Sequence, residues 1–148
     1  MNTSNNNNPI PQGEYVPATR FGNIIYTAGM TPRKNGVLIQ IGKVQTGESI
    51  TNYKAAVRQA VANAITAAKN TLTYEEVIAQ VLSLTVYVNS DETFQAHSSL
   101  ADFASEYLFE ELGSKGIGSR AAIGVPSLPG NAPVEIQITM GVSSKNVK

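Results

Sequence analysis

Two charged side chains stand out by the company they keep. Arg120 opens one apolar run, residues 119–124, and Glu135 sits inside another, residues 134–142. The proline-rich turn between them, with Pro126, Pro129 and Pro133, is placed to bring the two short strands side by side. A guanidinium is a planar fork that matches a carboxylate and keeps its charge in a partly buried cleft. Glu135 alternates to the opposite face from Val134 and Ile136, and a carboxylate enclosed by apolar neighbours is costly unless it is used. The pair is the minimum kit for gripping a small carboxylic acid and moving a proton. The plainer alternatives are that Arg120 pairs with a structural carboxylate at a subunit interface, and that Glu135 is simply its partner.

Little else in the chain competes. There is no cysteine, which removes disulfides, thiolate catalysis and cysteine metal sites. His97 is the single histidine, no aspartate-rich loop is present, and the glycines form no phosphate-cradling motif, so neither metal nor cofactor is expected. The formal net charge is zero, which gives nucleic-acid binding no support. No apolar run reaches the length of a membrane span. The expected location is the cytoplasm.

The elements that must position Arg120 and Glu135 can be read from periodicity. Residues 9–142 read as a single domain, between a disordered polar tail at 1–8 and a C-terminal tail at 143–148. Short β-like runs occupy 23–29 and 37–41, with a weaker one at 15–20, and Asn35-Gly36 is a hairpin signal. From 49 to about 71, Tyr53, Ala56, Ala60, Ala64, Ala67 and Ala68 recur at helical spacing. Residues 77–88 form a β-branched central strand. Ser90 or Asp91 is the expected cap of a second helix running to Leu112, with Phe94, His97, Ala101, Ala104 and Leu108 on one face. The order β-β-β-α-β-α-β-β gives an α+β fold with two helices on one face of a mixed sheet. Both final strands read as apolar at successive positions, so the other face needs a cover, most simply a partner subunit.

The segments Gly22-Asn23-Ile24-Ile25-Tyr26-Thr27-Ala28-Gly29, Thr85-Val86-Tyr87-Val88, and Arg120 followed by Leu128-Pro129 and Val134-Glu135-Ile136 resemble the RidA/YjgF family of reactive-intermediate deaminases. The resemblance implies a chorismate-mutase-like fold and a homotrimeric barrel with ligand clefts between subunits. It also implies cofactor-free hydrolysis of 2-enamine and 2-imine acids, such as 2-aminoacrylate and 2-iminobutyrate, to 2-keto acids and ammonium. Carried over by position, Arg120 clamps the substrate carboxylate, Glu135 positions or activates water, Tyr15 lines the cleft, and Gly29 and Met30 bring backbone to the ligand. Three positions depart from the family pattern. Ala28 replaces a usual serine, Ala122 a frequent cysteine, and Ser98 an asparagine.

Three functions follow, in order of support. The first is a trimeric imine deaminase. The second is a regulatory trimer that binds a small carboxylic acid without turning it over, which Ala28 and Ala122 favour. The third is a ribonuclease, which the charge balance disfavours. His97 reads as a packing residue, and Arg20, Arg33, Lys34 and Lys43 as solvated charges.

Overall fold

A computed structural model describes residues 7–146. Strands β1 (Ala18–Phe21) and β2 (Ile24–Thr27) form a hairpin. A detached ribbon follows, β3 (Arg33–Lys34) and β4 (Val37–Leu38). A short 3-10 turn (Ile50–Tyr53) leads into α1 (Lys54–Lys69). Then come β5 (Glu76–Asn89), α2 (His97–Leu112), β6 (Ser119–Val125) and β7 (Val134–Ser144). The main sheet has the order β1-β2-β7-β5-β6, parallel between β5 and β6 and antiparallel elsewhere. No described helix is long and apolar enough to cross a membrane.

The expected α+β layering is present. Along α1, Ala56, Ala60, Ala64, Ala67 and Ala68 are buried, and these small side chains let the helix lie close on β7 and β2. Val134, Ile136, Ile138, Met140 and Val142 point down from β7 into that contact, all buried. Burying side chains of this size stabilises the fold by about 1.5–3 kcal/mol each. They therefore hold the register of the strand that lies between β2 and β5.

Several expectations are corrected. The run 37–41 is no strand of the main sheet. Asn35-Gly36 does make the hairpin turn, with φ of 55° and 82°, but it joins β3 to β4. Positive φ at both central residues is what a two-residue turn requires. Neither Ser90 nor Asp91 caps α2, which begins at His97 without a side-chain cap. The Asp91 carboxylate instead accepts hydrogen bonds from the Thr46 and Thr93 backbone N–H groups at 2.7 and 2.9 Å. Those donors hold it well below the usual carboxylate range. Strand β7 is not apolar at successive positions. It alternates, and Glu135, Gln137 and Thr139 occupy its other face. The C-terminal tail is shorter than expected, because β7 runs through Ser144. Residues 1–6 and 147–148 of the two expected tails lie outside the described residues.

One ion pair ties the sheet edge to the start of β5. Arg20 Nη1 and Nη2 each donate to one oxygen of Glu76 at 2.6 Å. This pair, with the Thr73 N–H, holds the Glu76 carboxyl at about 2 against an ordinary 4.5. A depressed carboxylate stabilises the fold above its unfolded pKa and loses that contribution as pH falls through the folded value. Thermal unfolding of parent and Glu76→Gln should therefore differ most near neutrality. The gap should close between pH 4.5 and about 2. A gap that stayed constant across this range would show the pair contributes nothing.

Candidate functional site

Arg120 and Glu135 do not meet within one chain. Strand β5 lies between β6 and β7, so the turn does not bring their strands side by side. Register separates the side chains further. Arg120 is opposite Leu84, a core residue of the helix-covered face. Glu135 is opposite Tyr87, on the face without helices. The two groups belong to two half-sites on opposite sides of the sheet.

The Arg120 half-site is built by α2. Nη1 donates to Asp102 Oδ1 at 2.8 Å and to Ser105 Oγ at 3.0 Å. Nη2 donates to Ser98 Oγ at 2.9 Å and to the Ser98 carbonyl at 3.3 Å. Ser98, Asp102 and Ser105 stand at i, i+4 and i+7 on one helical face. That spacing is the signal the sequence offers for this face, of which the family resemblance marks only Ser98. Asp102 and Ser105 also line a groove of about 430 Å³, with Glu106, Phe109, Glu110 and Ile117. Ala122 shares the face of Arg120 and packs against the core.

The Glu135 half-site is built by backbone approach. The Met30 N–H donates to the Ile136 carbonyl at 2.7 Å, and the Ile136 N–H to the Met30 carbonyl at 2.9 Å. This exchange lays Gly29 against the Glu135 side chain. A Cβ on Gly29 would stand 2.5 Å from Oε2, so only glycine fits while the carboxylate stays. Burial pushes the Glu135 carboxyl up from its ordinary value. Met30 also lines a small void of about 40 Å³, with Tyr15, Gly29, Thr31 and Arg33. The Tyr15 hydroxyl accepts from the Gln12 N–H at 2.9 Å. Ala28 packs against the core.

Arg33 is not the solvated charge its sequence context indicates. Its Nη1 donates to the Gly36 carbonyl at 2.9 Å, and its Nε is buried without an acceptor among the described residues. Asn63 fixes its backbone by donating to the Arg33 carbonyl at 2.9 Å. His97 packs edge-on against Phe94, with ring centroids 5.0 Å apart, as a packing histidine should. Among the described residues no group of three or more His, Asp or Glu side chains could hold a metal ion.

A family profile described as Endoribonuclease L-PSP matches residues 5–142. The chain belongs to this family, which is also the YjgF/RidA family. Protein TCP17 of Trypanosoma cruzi is 27% identical over 127 residues, covering 85% of this chain and 79% of that one. Among solved structures, Atu1372 of Agrobacterium tumefaciens is 31% identical, with a TM-score of 0.78, over 88% of this chain and 82% of that one. The YjgF gene product of E. coli is 21% identical, with a TM-score of 0.66, over 91% and 93% of the two chains, and shares the fold. The resemblance read from residues 22–29, 85–88 and 120–136 is thereby confirmed for family and fold.

The raised Glu135 carboxyl yields a signed expectation. A carboxyl whose folded pKa is raised contributes stability at low pH and loses it as pH rises through the folded value. Carbon-13 titration should place its midpoint above 4.5. Glu135→Gln should unfold at a higher temperature than the parent at neutral pH, and the advantage should vanish in acid. A midpoint at or below the ordinary value would show that the side chain is better solvated than its position beside Gly29 implies.

Proposed function

We propose that this protein hydrolyses reactive 2-imino acids in clefts formed between copies of the chain, most simply three. The observation that carries the proposal is the separation of Arg120 and Glu135 onto opposite faces of one sheet. A cation that can hold a carboxylate and a carboxylate with a raised pKa are both present, and a second copy is needed to put them on one ligand. The face without helices carries Phe21, Ile24, Tyr26, Tyr87 and Ile123, of which Phe21 is 85% exposed. Exposed apolar side chains on both sides of the polar face of β7 suit a partner subunit.

In this reading Arg120 takes the substrate carboxylate. Starting from the protonated imine, Glu135 takes a proton from water as the oxygen adds to the imine carbon and returns it to the nitrogen; the C–N bond then breaks, and the hydroxyl proton follows the departing nitrogen. The products are a 2-keto acid and ammonium. A carboxyl raised towards neutrality is better matched to this exchange than an ordinary one. The substrates already hydrolyse in water, so a modest acceleration suffices. No metal or organic cofactor has a step to perform.

A second reading, a binding module without turnover, is favoured by the way Asp102 already occupies the Arg120 fork. Ribonuclease action, the sense of the family's description, has less support. The formal net charge is zero, and Arg20, Arg58 and Arg120 are ion-paired with Glu76, Glu110 and Asp102, so no excess of positive charge favours phosphates.

The test is complementation. 2-Iminobutyrate is generated in situ, the residual imine is trapped, and 2-ketobutyrate release is measured with and without protein. Arg120→Ala and Glu135→Gln homo-oligomers should each lose turnover, by the roughly 10²–10⁴ typical of a lost acid–base group or less for so reactive a substrate. Mixing and reassembling the two variants should restore about a quarter of the parent rate, because about half the clefts draw an intact Arg120 and half of those an intact Glu135. Failure to restore activity, with mixed oligomers verified by mass, would mean the site is not shared. A parent no faster than buffer would leave the binding module as the function.

A further inference from the structure

We propose that Asp102 sets the charge class of the ligand. It makes the Arg120 site prefer a zwitterion, carrying a carboxylate and a cationic nitrogen, over a plain monoanionic acid. The inference rests on the reading of Arg120 as the carboxylate anchor and adds to it a specificity-determining residue.

The Arg120 side chain is 21% exposed and that of Asp102 is 59% exposed. The pair is formed at 2.8 Å and, taken together, carries no net charge. The serine contacts hold the guanidinium independently of Asp102, with Ser98 on Nη2 and Ser105 on Nη1. The aspartate is therefore not needed to position the arginine. What it does is electrostatic. A keto acid approaching Arg120 meets the Asp102 carboxylate at nearly the same distance, so attraction and repulsion largely cancel. An acid that also bears an ammonium or iminium nitrogen gains from both members of the pair. Oδ1 of Asp102 is used by Arg120, whereas Oδ2 accepts no hydrogen bond among the described residues. It is the free acceptor for such a nitrogen.

The preference has a direction along the reaction. A protonated 2-imino acid is a zwitterion with no net charge. Adding water to it and expelling nitrogen yields a 2-keto acid monoanion and an ammonium ion, with charge and atoms conserved. The reactant thus suits the Arg120–Asp102 pair and the keto product does not. Asp102 would hold substrate and discharge product by the same charge.

The experiment compares two stable probes, 2-aminobutyrate and 2-ketobutyrate, by calorimetric or NMR titration. The protein is used as its full assembled chain. The parent should bind the amino acid about tenfold more tightly, the scale of one unit charge acting across a few ångströms in a partly solvated site. Asp102→Asn keeps an acceptor for Arg120 and removes the charge. It should erase or reverse the preference and make 2-ketobutyrate a stronger product inhibitor of imine hydrolysis. Asp102→Glu should retain the parent's preference, which separates a charge effect from damage to the helix. Arg120→Gln should lose both probes. If Arg120→Gln loses both while Asp102→Asn keeps the parent's ratio, the role of Asp102 is overturned and that of Arg120 stands. If Arg120→Gln binds both probes as the parent does, the carboxylate anchor itself is wrong.

Discussion

Strand β7 cannot place Glu135 and Ile136 on the same side of the sheet, and much of the architecture follows from that. Its alternate residues Val134, Ile136, Ile138, Met140 and Val142 are buried beneath the helices. A slip of one residue would turn this whole set outward and bring Glu135, Gln137 and Thr139 into the core. Five buried apolar side chains outweigh any gain that a single carboxylate could offer in the alternative register. Glu135 is therefore held on the helix-free face by its neighbours rather than by a partner of its own. The same register lays Ile136 against Met30 and so brings Gly29 under the carboxylate. The Glu135 carboxyl is placed by hydrophobic packing, and its raised pKa is a by-product of the enclosure that results.

Arg120 is positioned by a different principle. It lies on the edge strand β6, where the sheet gives it no further strand to lean on. Its orientation comes from α2, through Ser98, Asp102 and Ser105. That helix is tied in turn to α1 by Arg58, which donates to both oxygens of Glu110 at 3.2 and 2.8 Å. Exposed pairs of this kind contribute little stability. The face that α2 turns to the arginine is set by its buried side, Leu100, Ala101, Ala104 and Leu108. The two half-sites are thus held by unlike forces, packing for Glu135 and hydrogen bonds for Arg120.

The sequence made some of this legible and concealed the rest for identifiable reasons. The alanine stripe of α1 needs no tertiary information, since its period alone shows a closely packed helix. The turn at Asn35-Gly36 was equally plain, but a turn signal does not say whether its strands join the main sheet. Ser90-Asp91 looked like a helix cap because local spacing could not reveal Thr46, 45 residues away, competing for the same carboxylate. Arg120 and Glu135 were recognisable as residue types. Their separation was not, because it depends on β5 inserting between strands that are neighbours in sequence. Arg33 looked solvated for a similar reason: the Gly36 carbonyl and the wall of the small void beside Gly29 appear only after the chain has turned back.

The departures at Ala28 and Ala122 gain a different meaning from this arrangement. Both alanines pack against the core, so neither position offers the polar group the family resemblance would set there. Arg120 is not left bare. It makes its hydrogen bonds to α2, from a face that carries a carboxylate as well as hydroxyls. A hydroxyl or thiol on the strands would have tuned the cleft without altering its charge. An aspartate on the helix alters the charge itself. Drawing the polar neighbours of Arg120 from α2 therefore changes the charge around the arginine as well as its hydrogen bonds. Whatever approaches Arg120 meets a cation already compensated by Asp102, which follows from drawing the arginine's partners from a helix rather than from its own strand.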